Sequence, residues 1–191
     1  VGAKIVQLST DDVFDGIANH PYSEFDDTNP QTVYGRSKRA GENYVKEFTH
    51  KHFIIRSSWV YGNGDNFVNR VLKAAEKREL FAVPVGEIGA PTSAKDLTRI
   101  ILHLIETNEY GTYHVTCKGS CSGYELAKEV LKLAGKTLQL TEASSVALEQ
   151  PAVRPAYAVL DNFILRIIDV YDMPHWKDSL KEYIEERMVR G

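Results

Sequence analysis

The chain has 191 residues, 43% of them hydrophobic and 26% charged, which is enough apolar material for a core that needs neither disulfides nor a structural metal. Its formal net charge of −3, with acids and bases interspersed, gives no electrostatic reason to expect nucleic acid or an anionic membrane as a partner. No apolar run approaches the roughly 18 residues of a transmembrane helix, no signal peptide is evident and only Cys117 and Cys121 are cysteines, so we expect a cytoplasmic protein without a disulfide framework.

Strand and helix patterns alternate along the chain. The predicted strands are 4–8, 52–56, 80–83, 111–116 and an edge strand at 137–140. The predicted helices are 34–48, 67–77, 94–106 after Ser93 as N-cap, 123–134 after Ser122 as N-cap, 162–171 and 177–188. Residues 10–33 contain several turn formers and are predicted as a loop. This order predicts βαβ units and therefore an α/β fold with a parallel sheet.

A glycine-rich phosphate-binding turn is missing from the sequence. Neither G-x-G-x-x-G nor G-x-x-G-x-x-G occurs between a predicted strand and helix, although a dinucleotide needs such a turn at a helix N-terminus. Because the chain also opens on a strand, we expect it to be a fragment if it belongs to a nucleotide-cofactor enzyme. The absent strands would leave an unpaired sheet edge, and a homodimer is one way of covering it.

Tyr34 and Lys38 lie four residues apart at the start of a predicted helix, which places both on one face. An isolated tyrosine has a pKa of about 10, and a positive charge within ~4–6 Å lowers it toward the range useful for proton transfer. Thr10 follows a buried strand, at the carboxyl end where open α/β sheets bind ligands. The Tyr–Lys pair and a hydroxyl at that position together predict a carbonyl-reduction site.

Several segments resemble the dTDP-4-dehydrorhamnose reductases of the extended short-chain dehydrogenase/reductase superfamily. The matching segments are Leu8-Ser-Thr-Asp-Asp-Val-Phe-Asp-Gly16, Asn29-Pro30, Tyr34-Gly-Arg-Ser-Lys38, Ala40-Gly-Glu42, Arg56-Ser-Ser-Trp-Val-Tyr-Gly62 with Asn66-Phe67, Gly89-Ala-Pro-Thr92, Arg154-Pro155 and Leu160-Asp161. The resemblance extends in register over nearly the whole chain. It implies a partial Rossmann-like parallel sheet, with 1–58 as the C-terminal part of the dinucleotide-binding domain. Residues 59–191 would then form a smaller, partly interleaved α/β substrate-binding region.

The resemblance also implies a role for individual residues. Tyr34 would protonate the C4 oxygen of the sugar, Lys38 would lower the tyrosine pKa and bind the nicotinamide ribose, and Thr10 would bond the substrate oxygen. Both Tyr34 and Lys38 would thus contact the cofactor, NADPH or NADH. The substrate would be dTDP-4-dehydro-L-rhamnose, converted to dTDP-L-rhamnose for surface polysaccharide.

The dTDP-sugar would be bound by Asp11 and Trp59 in addition to Thr10, since an indole face packs well on sugar C–H groups. Arg154 would meet the diphosphate through charge-assisted hydrogen bonds. The six histidines show no metal-ligand spacing, so the residues themselves predict no metal site. Some reductases of this type hold Mg²⁺ through acidic residues, and the resemblance leaves that ion open.

Two departures from the family pattern keep alternatives open. Asp12 stands where the family usually has tyrosine, and Gly86-Glu87 replaces an acid–glutamine pair. The sequence Thr10-Asp-Asp-Val-Phe14 is similar to T-D-E-V-Y of nucleotide-sugar 4,6-dehydratases, in which two acids carry out elimination. Two adjacent carboxylates could do so if burial raised one pKa. An epimerase, or a non-catalytic regulatory subunit of the same fold, is a further alternative.

Overall fold

A computed structural model describes residues 2–143, 155–170 and 173–190. The strands are β1 (Ile5–Thr10), β2 (His52–Ser57), β3 (Val60–Tyr61), β4 (Phe81–Pro84), β5 (Ile88–Gly89), β6 (Thr92–Ser93), β7 (Gly111–His114), β8 (Cys121–Ser122), β9 (Leu140–Ala143) and β10 (Tyr157–Ala158). The helices are α1 (Val33–Phe48), α2 (Phe67–Lys77), α3 (Ala94–Glu106), α4 (Gly123–Leu133), α5 (Phe163–Ile167) and α6 (Trp176–Arg190). No helix within the described ranges is long and apolar enough to cross a membrane.

The main sheet has the strand order β1-β2-β7 and is parallel throughout, with Ile5 opposite His52 and Phe53 opposite Gly111. The other sheets are smaller. β10 and β5 are parallel with β8 antiparallel to β5, while β3 pairs with β6 and β4 with β9, both in parallel. Parallel strands joined through helices confirm the predicted α/β class.

Most predicted elements are present close to their expected bounds. Ser93 and Ser122 are the N-caps of α3 and α4, and Ser122 forms a reciprocal capping box with Glu125. The edge strand expected at 137–140 was displaced, since β9 begins only at Leu140. The helix expected over 162–171 is only the five residues of α5, and Tyr171 lies outside the described residues.

The hydrophobic core lies between the main sheet and helices α2, α3, α4 and α6. It includes Phe53 and Ile55 of β2 together with Ile100, Val130 and Leu180 from the helices, all inaccessible to solvent. A second, smaller cluster is formed by Val13, Phe14, Tyr22 and Leu160. This second cluster fixes the segment that follows β1, where the candidate site begins.

Among the described strands, β1 pairs only with β2 and so forms an edge of the main sheet. Two of its apolar side chains, Val6 and Leu8, are 39% and 50% exposed. Such an edge can pair with another strand. The homodimer suggested by the sequence stays a prediction.

Helix α1 meets the segment after β1 at close range. Its N-cap is Thr32, whose hydroxyl accepts a hydrogen bond of 2.8 Å from the Gly35 amide. A Cβ atom at Gly35 would overlap the carbonyl oxygen of Asp12, so only glycine permits this approach. A Cβ atom at Gly41, nearly two turns further on, would lie at an ordinary van der Waals distance from the side chain of Gln7.

The two glycines of α1 provide a matched stability test. We expect Gly35→Ala to lower the free energy of unfolding by about 1–3 kcal/mol, because the added methyl group must displace backbone. Gly41→Ala should instead raise it by up to ~1 kcal/mol, since alanine is the better helix former. Urea denaturation followed by circular dichroism measures both. An equal effect of the two substitutions would show that the Gly35 contact is absent.

Candidate active site

Tyr34 and Lys38 lie in the first two turns of α1, on the face predicted from their spacing. The Lys38 Nζ atom lies 5.8 Å from the centroid of the Tyr34 ring. The Tyr34 side chain is not directed into the core, because 53% of the residue is exposed. Lys38 also donates a hydrogen bond of 2.8 Å to the carbonyl oxygen of Leu8, so its ammonium group is fixed against β1.

Thr10 is the last residue of β1 and the N-cap of the short 3-10 turn Asp11–Val13. Its buried hydroxyl donates to Asp11 Oδ1 at 2.8 Å and accepts from the Asp12 amide at 3.2 Å. The other carboxylate oxygen of Asp11 accepts a 2.7 Å bond from the Ser58 hydroxyl, which connects the ends of β1 and β2. The carboxyl ends of two neighbouring strands thus share one polar cluster.

Asp11 has an unusual protonation equilibrium. Burial raises the pKa of its carboxyl group from 3.8 to about 6, against the hydrogen bonds from Ser58 and Thr10, and the charge of Asp12 contributes to the increase. Near neutrality a measurable fraction of this acid therefore carries a proton. That is the condition under which an acid can donate as well as accept in proton-transfer chemistry.

The Thr10–Asp12 segment is in direct contact with the start of α1. Gly35 packs on the Asp12 carbonyl group, and the Thr32 hydroxyl lies 3.5 Å from Asp12 Oδ2. The helix that carries Tyr34 and Lys38 therefore begins against the turn that carries Thr10 and Asp11. The site residues come from two segments 24 positions apart in sequence, which the packing brings together.

Trp59 follows Ser58 at the junction of β2 and β3. Its backbone has a φ of 43°, a left-handed conformation that is uncommon for a bulky side chain and often marks a functional position. The half-buried indole lies against Gly89, where any Cβ atom would overlap the ring. Gly89 of the second region thus leaves room for Trp59. Arg154, expected at the diphosphate, lies outside the described residues.

A buried ion pair lies directly behind the site. Glu42 is fully buried on α1, and its carboxylate accepts two hydrogen bonds from Arg56 of β2, at 2.9 Å and 2.7 Å. The Ser9 hydroxyl of β1 donates to the same group at 2.5 Å, and Arg39 lies 3.2 Å from it. Burial opposes ionisation, but Arg56, Ser9 and Arg39 outweigh it and hold the pKa of Glu42 below its usual value.

The ion pair continues to His114 of β7. The second terminal nitrogen of Arg56, Nη1, lies 3.4 Å from His114 Nε2, and the Nδ1 atom of this histidine lies 3.0 Å from the Tyr22 carbonyl oxygen. Burial, with the positive charge of Arg56, lowers the pKa of His114 to about 3. The imidazole is therefore neutral at physiological pH, with Nδ1 as the donor to Tyr22.

The site residues Tyr34, Lys38, Thr10, Asp11 and Trp59 were predicted from the sequence. The residues that bond or position them were given no role, although the sequence contains a signal for two of them. Ser58 precedes Trp59 at a strand end, and Glu42 continues the four-residue spacing of Tyr34 and Lys38. No spacing in the sequence singles out His114.

In the described part of the chain, no three His, Cys, Asp or Glu side chains cluster as a metal site would need, so Mg²⁺ finds no support.

Comparison with known proteins agrees with the resemblance seen in the sequence. The spore coat polysaccharide biosynthesis protein SpsK of Bacillus subtilis is 38% identical over 188 residues, which are 98% of this chain and 66% of SpsK. A dTDP-4-dehydrorhamnose reductase structure from Clostridium acetobutylicum superposes with a TM-score of 0.93 at 43% identity, over 98% of this chain and 67% of that one.

A dTDP-4-dehydrorhamnose reductase from Bacillus anthracis, solved in complex with NADP, also superposes with a TM-score of 0.93, at 40% identity. That match covers 97% of this chain and 66% of the reductase. A dTDP-glucose 4,6-dehydratase of the same organism has a TM-score of 0.81 at 17% identity and shares the fold alone, which is the expected Rossmann-like architecture.

The chain spans about two thirds of the length of these relatives. Its residues 1–189 match the family described as the RmlD substrate binding domain. With a family match over nearly every residue and identities near 40%, the assignment rests on the whole chain and not on one motif. This chain belongs to the RmlD substrate binding domain family.

Proposed function

We propose that the protein containing this chain reduces the C4 ketone of dTDP-4-dehydro-L-rhamnose to dTDP-L-rhamnose, with NADPH or NADH as cofactor and in the cytoplasm. The observation that carries the proposal is the Tyr34–Lys38 pair, with the ammonium nitrogen 5.8 Å from the phenol ring centroid and the helix start packed on the Thr10 turn. The names of the similar reductases and of the polysaccharide protein SpsK support this substrate class.

In the proposed reaction Tyr34 supplies the proton that the C4 oxygen takes up. A proton donor must reach the reacting oxygen from a fixed position, and the half-exposed phenol in the first turn of α1 meets that requirement. Lys38 stabilises the phenolate that remains after transfer, because its ammonium group is held nearby by the Leu8 carbonyl. Thr10 bonds the same substrate oxygen from the end of β1.

The substrate would be held between the two regions of the chain. Asp11 accepts hydrogen bonds from sugar hydroxyls, and the Trp59 indole packs on the ring. Arg154 binds the diphosphate. We keep 1–58 as the C-terminal part of a dinucleotide-binding domain and 59–191 as the substrate-binding region, interleaved where β7 joins the main sheet.

The cofactor, when bound, supplies the hydride to C4. Tyr34 and Lys38 fit the nicotinamide ribose, because an ammonium group has three donors and, among the described residues, Lys38 donates one of them to Leu8. Tyr34 is exposed and Lys38 is partly exposed, beside the edge strand β1. The solved complex of the Bacillus anthracis relative favours NADP as the dinucleotide.

The proton donor can be tested with a matched pair of substitutions on α1. Tyr34→Phe in the complete gene product should lower kcat about 10²–10⁴-fold, because the phenol is the proton source. Tyr44→Phe removes a hydroxyl ten residues later on the same helix, from a side chain that is 71% exposed, and should leave the rate unchanged. The assay follows nicotinamide oxidation with dTDP-4-dehydro-L-rhamnose. A Tyr34→Phe enzyme as fast as its parent would refute the assignment of Tyr34 as proton donor. A parent that does not oxidise nicotinamide at all would favour a regulatory binding subunit.

The lack of a glycine-rich turn in this chain gives a second prediction. The 191-residue chain should bind NADPH only weakly, because the pyrophosphate has no helix N-terminus of the required kind to bind. Isothermal titration calorimetry compares it with the complete gene product, which should bind in the micromolar range. Micromolar binding by the 191 residues alone would contradict the domain division proposed above.

Asp11 favours elimination as a second candidate function. Burial raises the pKa of this acid to about 6 beside Asp12, which is the condition under which two adjacent carboxylates could serve as acid and base. A 4,6-dehydratase would release water from dTDP-glucose. Product analysis separates the two functions, because the reductase consumes reduced nicotinamide and the dehydratase shows no net change in it.

The protonation of Asp11 predicts a pH dependence of stability. Its pKa of about 6 in the folded chain lies above the ordinary value of 3.8, so the stabilisation present below the lower value is lost as pH rises through the higher one. A shift of this size corresponds to on the order of 3 kcal/mol. We therefore compare the free energy of unfolding of Asp11→Asn with that of its parent at each pH. The difference, variant minus parent, should increase by about that much between about pH 4 and about pH 7.

Denaturant unfolding at several pH values measures this difference. Asp65→Asn is the control, because the Asp65 side chain is 84% exposed and its profile gives the effect of removing a carboxylate from the surface. A profile for Asp11→Asn like that of the control would mean that Asp11 ionises as an ordinary surface acid. The elimination candidate would then lose its support.

A further inference from the structure

We infer that Glu42, held by Arg56 and Ser9, is a positioning residue that sets helix α1 in register against strands β1 and β2 and so places Tyr34 and Lys38 against the Thr10 turn. The inference rests on the proposed function in that Tyr34 is taken as the proton donor. The geometry of the ion pair itself does not depend on that role.

The first step is the spacing along α1. Tyr34, Lys38 and Glu42 recur every four residues and lie along one side of the helix. The last two contact successive residues of β1, since Lys38 bonds the carbonyl of Leu8 and Glu42 accepts from the hydroxyl of Ser9. The next residue of the strand is Thr10. A shift of the helix along β1 would break both contacts together.

The second step is the contribution of β2. The Nε and Nη2 atoms of Arg56 each meet a different oxygen of Glu42, and such two-point contact fixes orientation as well as distance. Arg56 lies two residues before Ser58, which bonds Asp11, and three before Trp59. The Glu42 carboxylate therefore connects α1, which carries the proton donor, to β1 and β2. The carboxyl ends of these two strands carry the remaining site residues.

The third step is how few residues of α1 are buried in the described part of the chain. Among the described residues of α1, only Gly35 and Glu42 are buried, and the large side chains Tyr44 and Phe48 are 71% and 83% exposed. Apolar packing in this structure therefore does little to fix the helix. A buried ion pair with all its hydrogen bonds made contributes little net stability. We infer that this pair instead fixes the position of α1.

Three substitutions of graded severity test the inference. Ser9→Ala removes only the contact to β1, Arg56→Lys keeps the charge but loses the two-point contact, and Arg39→Ala is the control, because Arg39 reaches Glu42 from α1 itself. In the complete enzyme, Arg56→Lys should lower kcat about tenfold or more, with KM for the sugar nucleotide little changed. The reason is that a small displacement of Tyr34 and Lys38 slows the reaction more than it weakens substrate binding. Ser9→Ala should have a smaller effect of the same kind, and Arg39→Ala none.

Amide hydrogen exchange, measured on the complete gene product, gives a readout that needs no activity. The amides of Asp12 and Gly35 bond side chains on the two sides of the contact and should exchange faster in Ser9→Ala and Arg56→Lys, while those of the distant helix α4 should not. Faster exchange throughout the chain, or no change at either amide, would overturn the inference. If the parent enzyme does not reduce the ketone, the proposed function fails, and the exchange result still decides whether Glu42 positions α1.

Discussion

A carboxylate without access to water holds the helix of the candidate site to the sheet. Removing Glu42 and Arg56 from water is expensive, and their mutual hydrogen bonds, with those from Ser9 and Arg39 to Glu42, compensate for it. Removal of one partner from such a pair costs about 3–5 kcal/mol, because the other charge is left buried and uncompensated. The helix therefore has one favourable position on the sheet, and the geometry of Tyr34 and Lys38 follows from it.

The same guanidinium group also orders the segment that follows the site. Arg56 stacks over the Phe14 ring, with 5.3 Å between its central carbon and the ring centroid, and Phe14 stacks on Tyr22 at 4.3 Å. Neutral His114 joins these groups, since it receives Arg56 on one nitrogen and bonds the Tyr22 carbonyl with the other. These contacts, which run from Glu42 through Arg56 and His114 to Tyr22, explain why residues 11–32 can pack beside the main sheet without a large apolar core of their own.

The sequence was sufficient to predict what depends on local patterns. The bounds of α2 were predicted residue for residue, and the capping serines of α3 and α4 were identified because a cap is written in adjacent residues. The two-residue strands were not predicted, because strands such as β5 and β8 exist only through pairing with distant segments. For the same reason the hydrogen bond between Ser58 and Asp11, which joins residues 47 positions apart, was not predicted. Arg154 lies outside the described residues, and its role stays a prediction from the family resemblance.

Thr10 and Asp11 show how one small cluster can suit either of the chemistries considered. A hydroxyl has a single proton, and the Thr10 hydroxyl donates its proton in the hydrogen bond to Asp11. One lone pair of the same hydroxyl oxygen accepts the hydrogen bond from the Asp12 amide. A ketone oxygen that needs a donor must compete with the Asp11 carboxylate for that proton. Protonation of Asp11, with a pKa raised by burial to about 6, reverses the direction of this bond and frees the Thr10 proton for the ketone. The environment that makes Asp11 an acid for elimination therefore also makes Thr10 a better donor for reduction, and the fate of the hydride decides which of the two reactions takes place: the reduction moves it from the nicotinamide to the sugar, whereas the elimination leaves no net change in the nicotinamide.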